Sequence, residues 1–358
     1  MSVLGASLPR YFRRRVAVQI VALLAVLTAL LQMLELLDMT TEVLKREQGL
    51  RGLIYYAALR TPAEVVLMLP LAVLLGTMTA MHSMARNLEI TTVRCAGISL
   101  TRIFVYLLPV ALALAVVQFA IAERVLPQAE NTLKAWWSSS APAGEASTRL
   151  WANSDRGPLS IDGISPDGTR LRGLRLYFRN AQGLIEGRLA AGDAHWDGQV
   201  WRLDGVSEIR IAEGRLERVR EPTRVWETNL RPDDVLRLDV ARPRLSSMML
   251  ADVIAGARVG TQPLSYYRTV LYRSFTAPLA VLVMLLLALP TAASQPRGRV
   301  GSREMLYGLG LGLAFLLADG MISALGTSGR LPPLTTALAA PLLFAAIGLL
   351  RLRLHERI

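Results

Sequence analysis

The sequence predicts an α-helical membrane protein with six transmembrane helices and one inserted all-β jellyroll domain. Hydrophobic residues make up 52% of the 358 residues and charged residues only 19%, against about 45–50% and about 25% in soluble domains. The apolar excess is concentrated in runs about as long as a bilayer is thick, whereas the middle of the chain alternates as strands do. This pattern argues against a soluble enzyme, a disordered chain and a fibre.

Six apolar stretches are each near the ~20 residues that a helical span needs. They cover residues 16–37, 63–81, 103–122, 271–289, 305–325 and 334–350. Pro62 is expected to begin the second span, and residues 331–333 to begin the sixth. The first stretch is too long for the core of a signal peptide, and Glu35 and Asp38 stand at its end where a cleavage site would need small residues. It is therefore interpreted as a retained helix.

The placement of charge predicts the topology. Residues 125–265 contain 19 basic and 18 acidic residues, so the net charge of +12 comes from the segments that flank the spans. With a cytoplasmic N-terminus, the inner segments hold 13 basic residues and the short outer loops five. This asymmetry favours both termini inside and the large insertion outside. It also leaves no basic stripe for nucleic acid.

Three regions follow: an N-terminal membrane half over 1–124, the inserted domain with its connectors over 125–265, and a C-terminal membrane half over 266–358. Turn residues recur about every ten positions in the insertion, as in a sandwich or jellyroll. Asp197-Gly198 stands between two short apolar runs and predicts a hairpin. Pro222 indicates an edge strand.

The sequence lacks the common signatures of catalysis. Its two lysines, Lys45 and Lys134, do not lie in a phosphate-binding loop, so the chain is not expected to hydrolyse ATP. Its three histidines and single cysteine, Cys95, have no metal-ligand spacing. We therefore expect no enzyme activity, no metal and no cofactor.

Most charged residues of the spans lie toward the outer ends. This distribution disfavours an ion path across the bilayer and suits a cavity with apolar walls for acyl chains and a charged rim for a polar head. The candidate outer-rim residues are Glu35, Asp38, Lys45, Arg46, Arg273 and Asp319. The alternative is simple snorkelling to the interface. Snorkelling is favoured for Lys45, Arg46, Arg60 and Glu123, and both interpretations stay open for Asp319.

The inner loop over residues 84–98 is short and amphipathic. Its apolar residues, expected to pack inward, are Leu88, Val93 and Ile98, and its charged residues, expected to face the cytosol, are Arg86, Glu89 and Arg94. Such a loop can dock into a partner ATPase as a coupling helix. A solvated connector is the alternative, and the pattern alone does not separate the two.

Several stretches in this order resemble the lipopolysaccharide export permeases LptF and LptG. They are "RYFRRRVA", "ARNLEITTVRCAGISLTRI", "ERVLPQAE", "WDGQVWRLDGV", "VWETNLRPDDV" and "FLLADGMISALGTSGRLPPL". The resemblance covers essentially the whole chain, and the fifth stretch is closer to the LptG branch.

The resemblance implies a bacterial inner-membrane complex. An LptF-like permease and a dimeric LptB-like ATPase would be partners, and lipopolysaccharide would pass from a cavity through a periplasmic jellyroll to an LptC and LptA bridge. Glu89 matches the coupling-helix glutamate of the family, and spans one and five would line the gate.

One departure from the family concerns phosphate binding. Glu35 stands where LptG-like proteins often carry lysine. Contacts with phosphate would then come from Lys45, Arg46, Arg273, the partner permease or a bridging cation. Two rival functions remain: another ABC-type lipid or lipoprotein permease, and a membrane scaffold for a β-domain without transport.

Overall fold

A computed structural model describes most of the chain. The described residues are 2–46, 49–139, 150–154, 157–165, 167–179, 185–212, 215–228, 230–232, 235, 245–257, 262–290 and 299–356. The chain divides into two compact units, Met1–Ala141 together with Thr269–Ile358, and Pro142–Arg268.

Helices dominate the first unit, which we call the helical unit. In chain order the helices are α1 (Ser2–Lys45), α2 (Gly49–Arg86), α3 (Glu89–Cys95), α4 (Leu100–Ala120), α5 (Leu126–Ser139), α6 (Ser247–Ile254), α7 (Leu264–Thr276), α8 (Leu279–Ala288), α9 (Arg299–Thr327) and α10 (Pro333–Glu356). A π-helical turn, Ile121–Val125, joins α4 to α5. Helix α6 and the start of α7 belong to the second unit.

Within the described residues, five helical stretches are long and apolar enough to cross a membrane, and there are six when α7 and α8 count as one bent span. They contain all six stretches that the hydropathy pattern predicts. The prediction of a helical membrane protein with an inserted β domain is therefore confirmed.

Helix α2 begins much earlier than the sequence suggests. Pro62 does not start the helix but lies within it, as does Pro70. The prediction for Pro62 was therefore wrong. Proline is tolerated inside membrane-spanning helices because neighbouring helices support the backbone around it. Here the partner is α1, whose 44 residues run alongside α2.

The fourth span is broken rather than continuous. Helices α7 and α8 meet at an angle of 51°, and Pro278 stands directly before α8. Proline has no N–H for the helix ladder, and its ring clashes with the preceding turn, which explains the bend. Helix α8 is almost entirely buried among the other helices, so the second half of the bent span lies in the core of the helical unit.

Helices α1 and α2 approach each other closely at Gly76. A methyl group added at Gly76 would stand 2.7 Å from Ile20 Cα. Small residues allow such close backbone approach, which is a main source of stability between helices in a bilayer.

The second unit is an antiparallel β domain. Its described strands are β1 (Leu150–Ser154), β2 (Gly157–Ile161), β3 (Gly163–Ile164), β4 (Arg170–Arg179), β5 (Ile185–Trp196), β6 (Trp201–Ala212) and β7 (Arg215–Trp226). They follow the order β1-β2-β4-β5-β6-β7, and β3 pairs with β4. The predicted hairpin at Asp197-Gly198 joins β5 to β6, where Trp196 pairs with Trp201. Pro222 lies on β7, at the end of this order, as expected for an edge strand.

A row of three glycines and one proline crosses four strands of the sheet. Gly173 stands opposite Gly192, Gly192 opposite Gly205, and Gly205 opposite Pro222, and the pairing skips each of these positions. Gly173 and Gly205 have φ of 63° and 64°, which side-chain-bearing residues rarely adopt. At the position of this row, the regular pairing of the strands is therefore interrupted from β4 across to β7.

The buried face of the sheet carries the apolar core of the β domain. Trp201 is its largest fully buried side chain, and its indole Nε1 donates a hydrogen bond to the Leu230 carbonyl at 2.8 Å. The other core residues come from five strands and the segment after β7: Leu159, Ile161, Leu171, Leu174, Leu176, Leu189, Ala191, Ala194, Leu203, Val206, Trp226, Leu230 and Val235.

Replacing Gly76 with alanine should destabilise the helical unit by about 1–3 kcal/mol, because the added methyl group would push α1 away from α2. The melting temperature of the chain in mild detergent measures this loss. Gly310→Ala in α9 is the matched control, since nothing lies within 4 Å of the position of its added methyl group. Equal melting temperatures for the two variants would show that the α1–α2 contact is not tight.

Glu208 in β6 sits in a charged network on the β domain. Burial alone would raise the pKa of Glu208, but hydrogen bonds from Arg224 and Arg210 outweigh it, so the pKa lies below the usual carboxyl value. Arg224 also binds Glu221 through two bonds of 2.7 Å. The network therefore joins β6 to β7 through charge-assisted hydrogen bonds.

Glu208 should stabilise the β domain at neutral pH and lose that effect in acid. Because its pKa is lowered on folding, the stabilisation is complete above the unfolded pKa of about 4.3 and disappears as the pH falls through the folded value. Glu208→Gln should cost about 1–2 kcal/mol at pH 7 and little once the pH has fallen below the folded pKa of Glu208. Denaturant midpoints of the wild type and the variant, followed by tryptophan fluorescence, measure this loss, and Glu217→Gln is the control. A difference in midpoint that did not change with pH would contradict the prediction.

Candidate functional site

Glu35 of α1 is bound by two side chains of α2. Its Oε1 accepts a hydrogen bond from the Tyr56 hydroxyl at 2.9 Å and forms an ion pair with Arg60 Nε. Glu35 was expected at the outer rim, and Arg60 was expected to snorkel. In the structure, the two charges form an ion pair between α1 and α2.

Glu64 lies one helical turn further along α2 and is only 3% exposed. With the amide of Gln32 turned so that its nitrogen faces the carboxyl group, Gln32 donates to Glu64 Oε2 at 2.8 Å. The sequence pattern did not single out this residue as part of a site. Tyr56, Arg60 and Glu64 recur at four-residue spacing, which would have marked one helical face had α2 been extended through Pro62.

The remaining rim candidates on α1 differ from one another. Asp38 is exposed, whereas Arg46 stacks over the Trp137 ring at 4.0 Å and donates to the Trp137 carbonyl at 2.7 Å. Arg46 is thus held against the end of α5. Lys45 is the last residue of α1, and its side chain lies outside the described part of the structure.

Arg273 and Asp319 form a bidentate ion pair. The guanidinium donates from Nη1 to Asp319 Oδ1 at 3.0 Å and from Nη2 to Oδ2 at 2.6 Å. Both side chains are largely buried, with relative exposures of 24% and 22%. The pair joins α7 to α9 just before the bend at Pro278. The structure therefore brings these two rim candidates together with each other.

The inner loop forms the short helix α3 between α2 and α4. Leu88 adopts a left-handed conformation with φ of 61° and is 51% exposed, so the expectation that it packs inward was wrong. Ile90 takes that place and is 2% exposed, and Val93 and Ile98 pack against the same core. The left-handed backbone of Leu88 turns the chain between α2 and α3 and directs its own side chain outward.

Charged residues lie on the side of this loop that does not pack into the helical core. Arg86 is exposed, and Glu89 and Arg94 are half-buried. Glu89 Oε2 accepts a hydrogen bond from the Tyr11 hydroxyl of α1 at 3.0 Å. The loop is thus fixed to the helical unit by apolar residues and by Tyr11, and it presents charge on its other side.

No group of three or more potential metal ligands occurs among the described residues. The geometry instead defines a class of protein: a multi-pass helical membrane protein with an inserted antiparallel β domain, ion pairs between its helices and an amphipathic loop between α2 and α4.

Comparison with known proteins identifies the family. Residues 10–354 match the family model described as lipopolysaccharide export system permease LptF/LptG, so the chain belongs to this family. Lipopolysaccharide export system permease protein LptG of Escherichia coli strain K12 is 24% identical over 348 residues, which are 96% of each chain. The LptG protein of Haemophilus influenzae strain KW20 Rd is 23% identical over 343 residues, which are 94% of this chain and 96% of the relative. The resemblance noted in the sequence is confirmed.

Removing one partner of the Arg273–Asp319 pair should leave a buried charge without compensation. Arg273→Ala and Asp319→Ala should each lower stability by about 1–3 kcal/mol, and the double variant should lose less than the sum of the two. Thermal unfolding in detergent measures the stability of all three variants, with Arg330→Ala, an exposed residue just after α9, as control. Strict additivity would show that the two residues do not interact in solution.

Proposed function

We propose that the chain is a permease subunit of an ATP-driven lipopolysaccharide transporter in the bacterial inner membrane. Both termini would lie in the cytoplasm and the β domain in the periplasm, as the basic inner segments favour. The single observation that supports this most is the 84–98 loop. Its apolar side is packed into the helical unit while Arg86, Glu89 and Arg94 stand on the other side, in a chain without a phosphate-binding loop.

The energy for transport would come from another chain. We propose a dimeric LptB-like ATPase that docks on the 84–98 loop, with Glu89 as the central acidic contact and Arg86 and Arg94 beside it. A second, LptF-like permease would complete the membrane part. The β domain would pass lipopolysaccharide to LptC-like and LptA-like bridge proteins. The similarity to LptG proteins, which are named as export system permeases, supports this assignment.

The apolar faces of α1 and α9 would line the cavity. Exposed side chains recur along both helices at helical spacing: Leu30, Met33, Leu34 and Leu37 on α1, and Leu313, Leu317, Met321 and Leu325 on α9. Such faces suit acyl chains or a partner helix, because both are apolar. Movement of these two helices would open and collapse the cavity.

The polar head of the substrate would meet the paired charges of the outer half. Arg273 can bind a lipid A phosphate with the same bidentate geometry that it offers to Asp319. Arg46 and Lys45 would add positive charge above it, and Glu35 and Asp38 would bind basic groups or a bridging cation. In this proposal Asp319 holds Arg273 in place until the phosphate arrives.

Reversing the charge of Glu89 should uncouple the ATPase. In Glu89→Lys, the amount of ATPase that copurifies and the release of lipopolysaccharide from reconstituted vesicles should both fall at least about tenfold, because like charges would meet at the docking site. Tyr11→Phe is the matched control: it removes the hydrogen bond at 3.0 Å but keeps the carboxylate.

The two variants separate docking from local structure. Normal values for Tyr11→Phe together with low values for Glu89→Lys support the proposal. Wild-type ATPase binding and release in Glu89→Lys would remove Glu89 from the mechanism. An ATP-dependent complex that carries another lipid would favour a different lipid or lipoprotein permease, and a chain that binds neither ATPase nor amphiphile would favour a scaffold.

A further inference from the structure

The last turn of α10 supplies a hydrogen-bond acceptor to the first turn of α4. Glu356 Oε1 accepts a hydrogen bond from the backbone N–H of Thr101 at 2.7 Å, across 255 residues of sequence. Ser99 Oγ accepts from the N–H of Arg102 at 3.2 Å. The first N–H groups of a helix have no partner within the helix and favour negative charge. Glu356 thus fixes the end of α10 to the point where the 84–98 loop enters α4.

The same part of α10 is also fixed to α9. Arg351 Nη2 lies 2.5 Å from Glu304 Oε2, and His355 Nε2 lies 3.6 Å from the same oxygen. His355 Nδ1 in turn lies 2.8 Å from the Arg351 carbonyl oxygen. Glu304, near the start of α9, is therefore held by two residues that lie one helical turn apart on α10.

These contacts form a continuous connection from the loop to α9. It leads from α3 through the start of α4 to Glu356, along one turn of α10, and through Arg351 and His355 to Glu304. The Thr101–Glu356 bond is solvent-exposed. An exposed polar contact adds little to stability. Together with the part-buried Arg351–Glu304 pair, its main physical effect is to fix the relative positions of three helix ends.

We infer that the end of α10 is a mechanical tie that transmits displacement of the 84–98 loop to α9, with Glu356 and Glu304 as its positioning residues. This inference rests on the proposed function and specifies how the force of the ATPase reaches the cavity. Contiguous polar and packed contacts of this kind are the physical means by which distant sites are coupled.

The first experiment measures lipopolysaccharide released per ATP hydrolysed by the reconstituted complex. Glu356→Ala and Glu304→Ala should each lower this ratio about fivefold, at the low end of coupling between sites, while ATP hydrolysis continues. Glu356→Gln should be affected less, because its amide oxygen still accepts from Thr101. Arg353→Gln, an exposed residue of the same turn, is the control and should keep the wild-type ratio.

The second experiment measures motion directly. Cys95 is the single cysteine of the chain and is exposed on α3, so a spin label there can be paired with one at Met321→Cys, an exposed position of α9. In a complex whose other subunits lack cysteine, addition of ATP should change the distance between the labels. Glu356→Ala should abolish that change.

The outcomes separate this inference from the proposed function. If the wild-type complex exports lipopolysaccharide but Glu356→Ala and Glu304→Ala keep its ratio and its distance change, the tie is wrong and the proposed function stands. If the wild-type complex releases no lipopolysaccharide on addition of ATP, the proposed function itself fails. If Glu356→Ala does not assemble, the ratio measured for Glu304→Ala decides in the same way.

Discussion

A charge in the apolar part of a helical bundle needs a partner of opposite sign, because lipid supplies none. Transfer of an isolated ion from water to such surroundings costs several kcal/mol even after relaxation. Two sets of contacts in this helical unit meet that requirement: Glu35 binds Arg60 and Tyr56 across α1 and α2, and Arg273 binds Asp319 across α7 and α9. These pairs set which helices stay together.

The pairing has a consequence for transport. Helices α1 and α2 share the Glu35 contacts and the close approach at Gly76, and α7 and α9 share the Arg273–Asp319 pair. We expect each of these two pairs to move as a unit, because separating either would expose an unpaired charge. Rearrangement would then occur at the apolar faces of α1 and α9 and at the bend before α8, where little polar contact must be broken.

The sequence predicted the spans and the β domain well, because hydropathy and strand alternation are local properties. It did not predict the contacts that depend on tertiary packing. Pro62 looked like a helix start because propensity alone ignores support from α1, and this error hid the face that carries Tyr56, Arg60 and Glu64. The partner of Asp319 depends on how α9 lies against α7. The exposed position of Leu88 follows from its own left-handed backbone. Neither is encoded in spacing.

The proposed function makes this chain part of an ATP-driven lipid exporter. Native mass spectrometry of the complex purified in mild detergent tests that claim most directly. We expect one copy of the chain with a second permease, two ATPase subunits and a bound mass equal to lipopolysaccharide, and loss of that bound mass after addition of ATP with the bridge proteins. A complex without an ATPase and without any bound amphiphile would contradict the account.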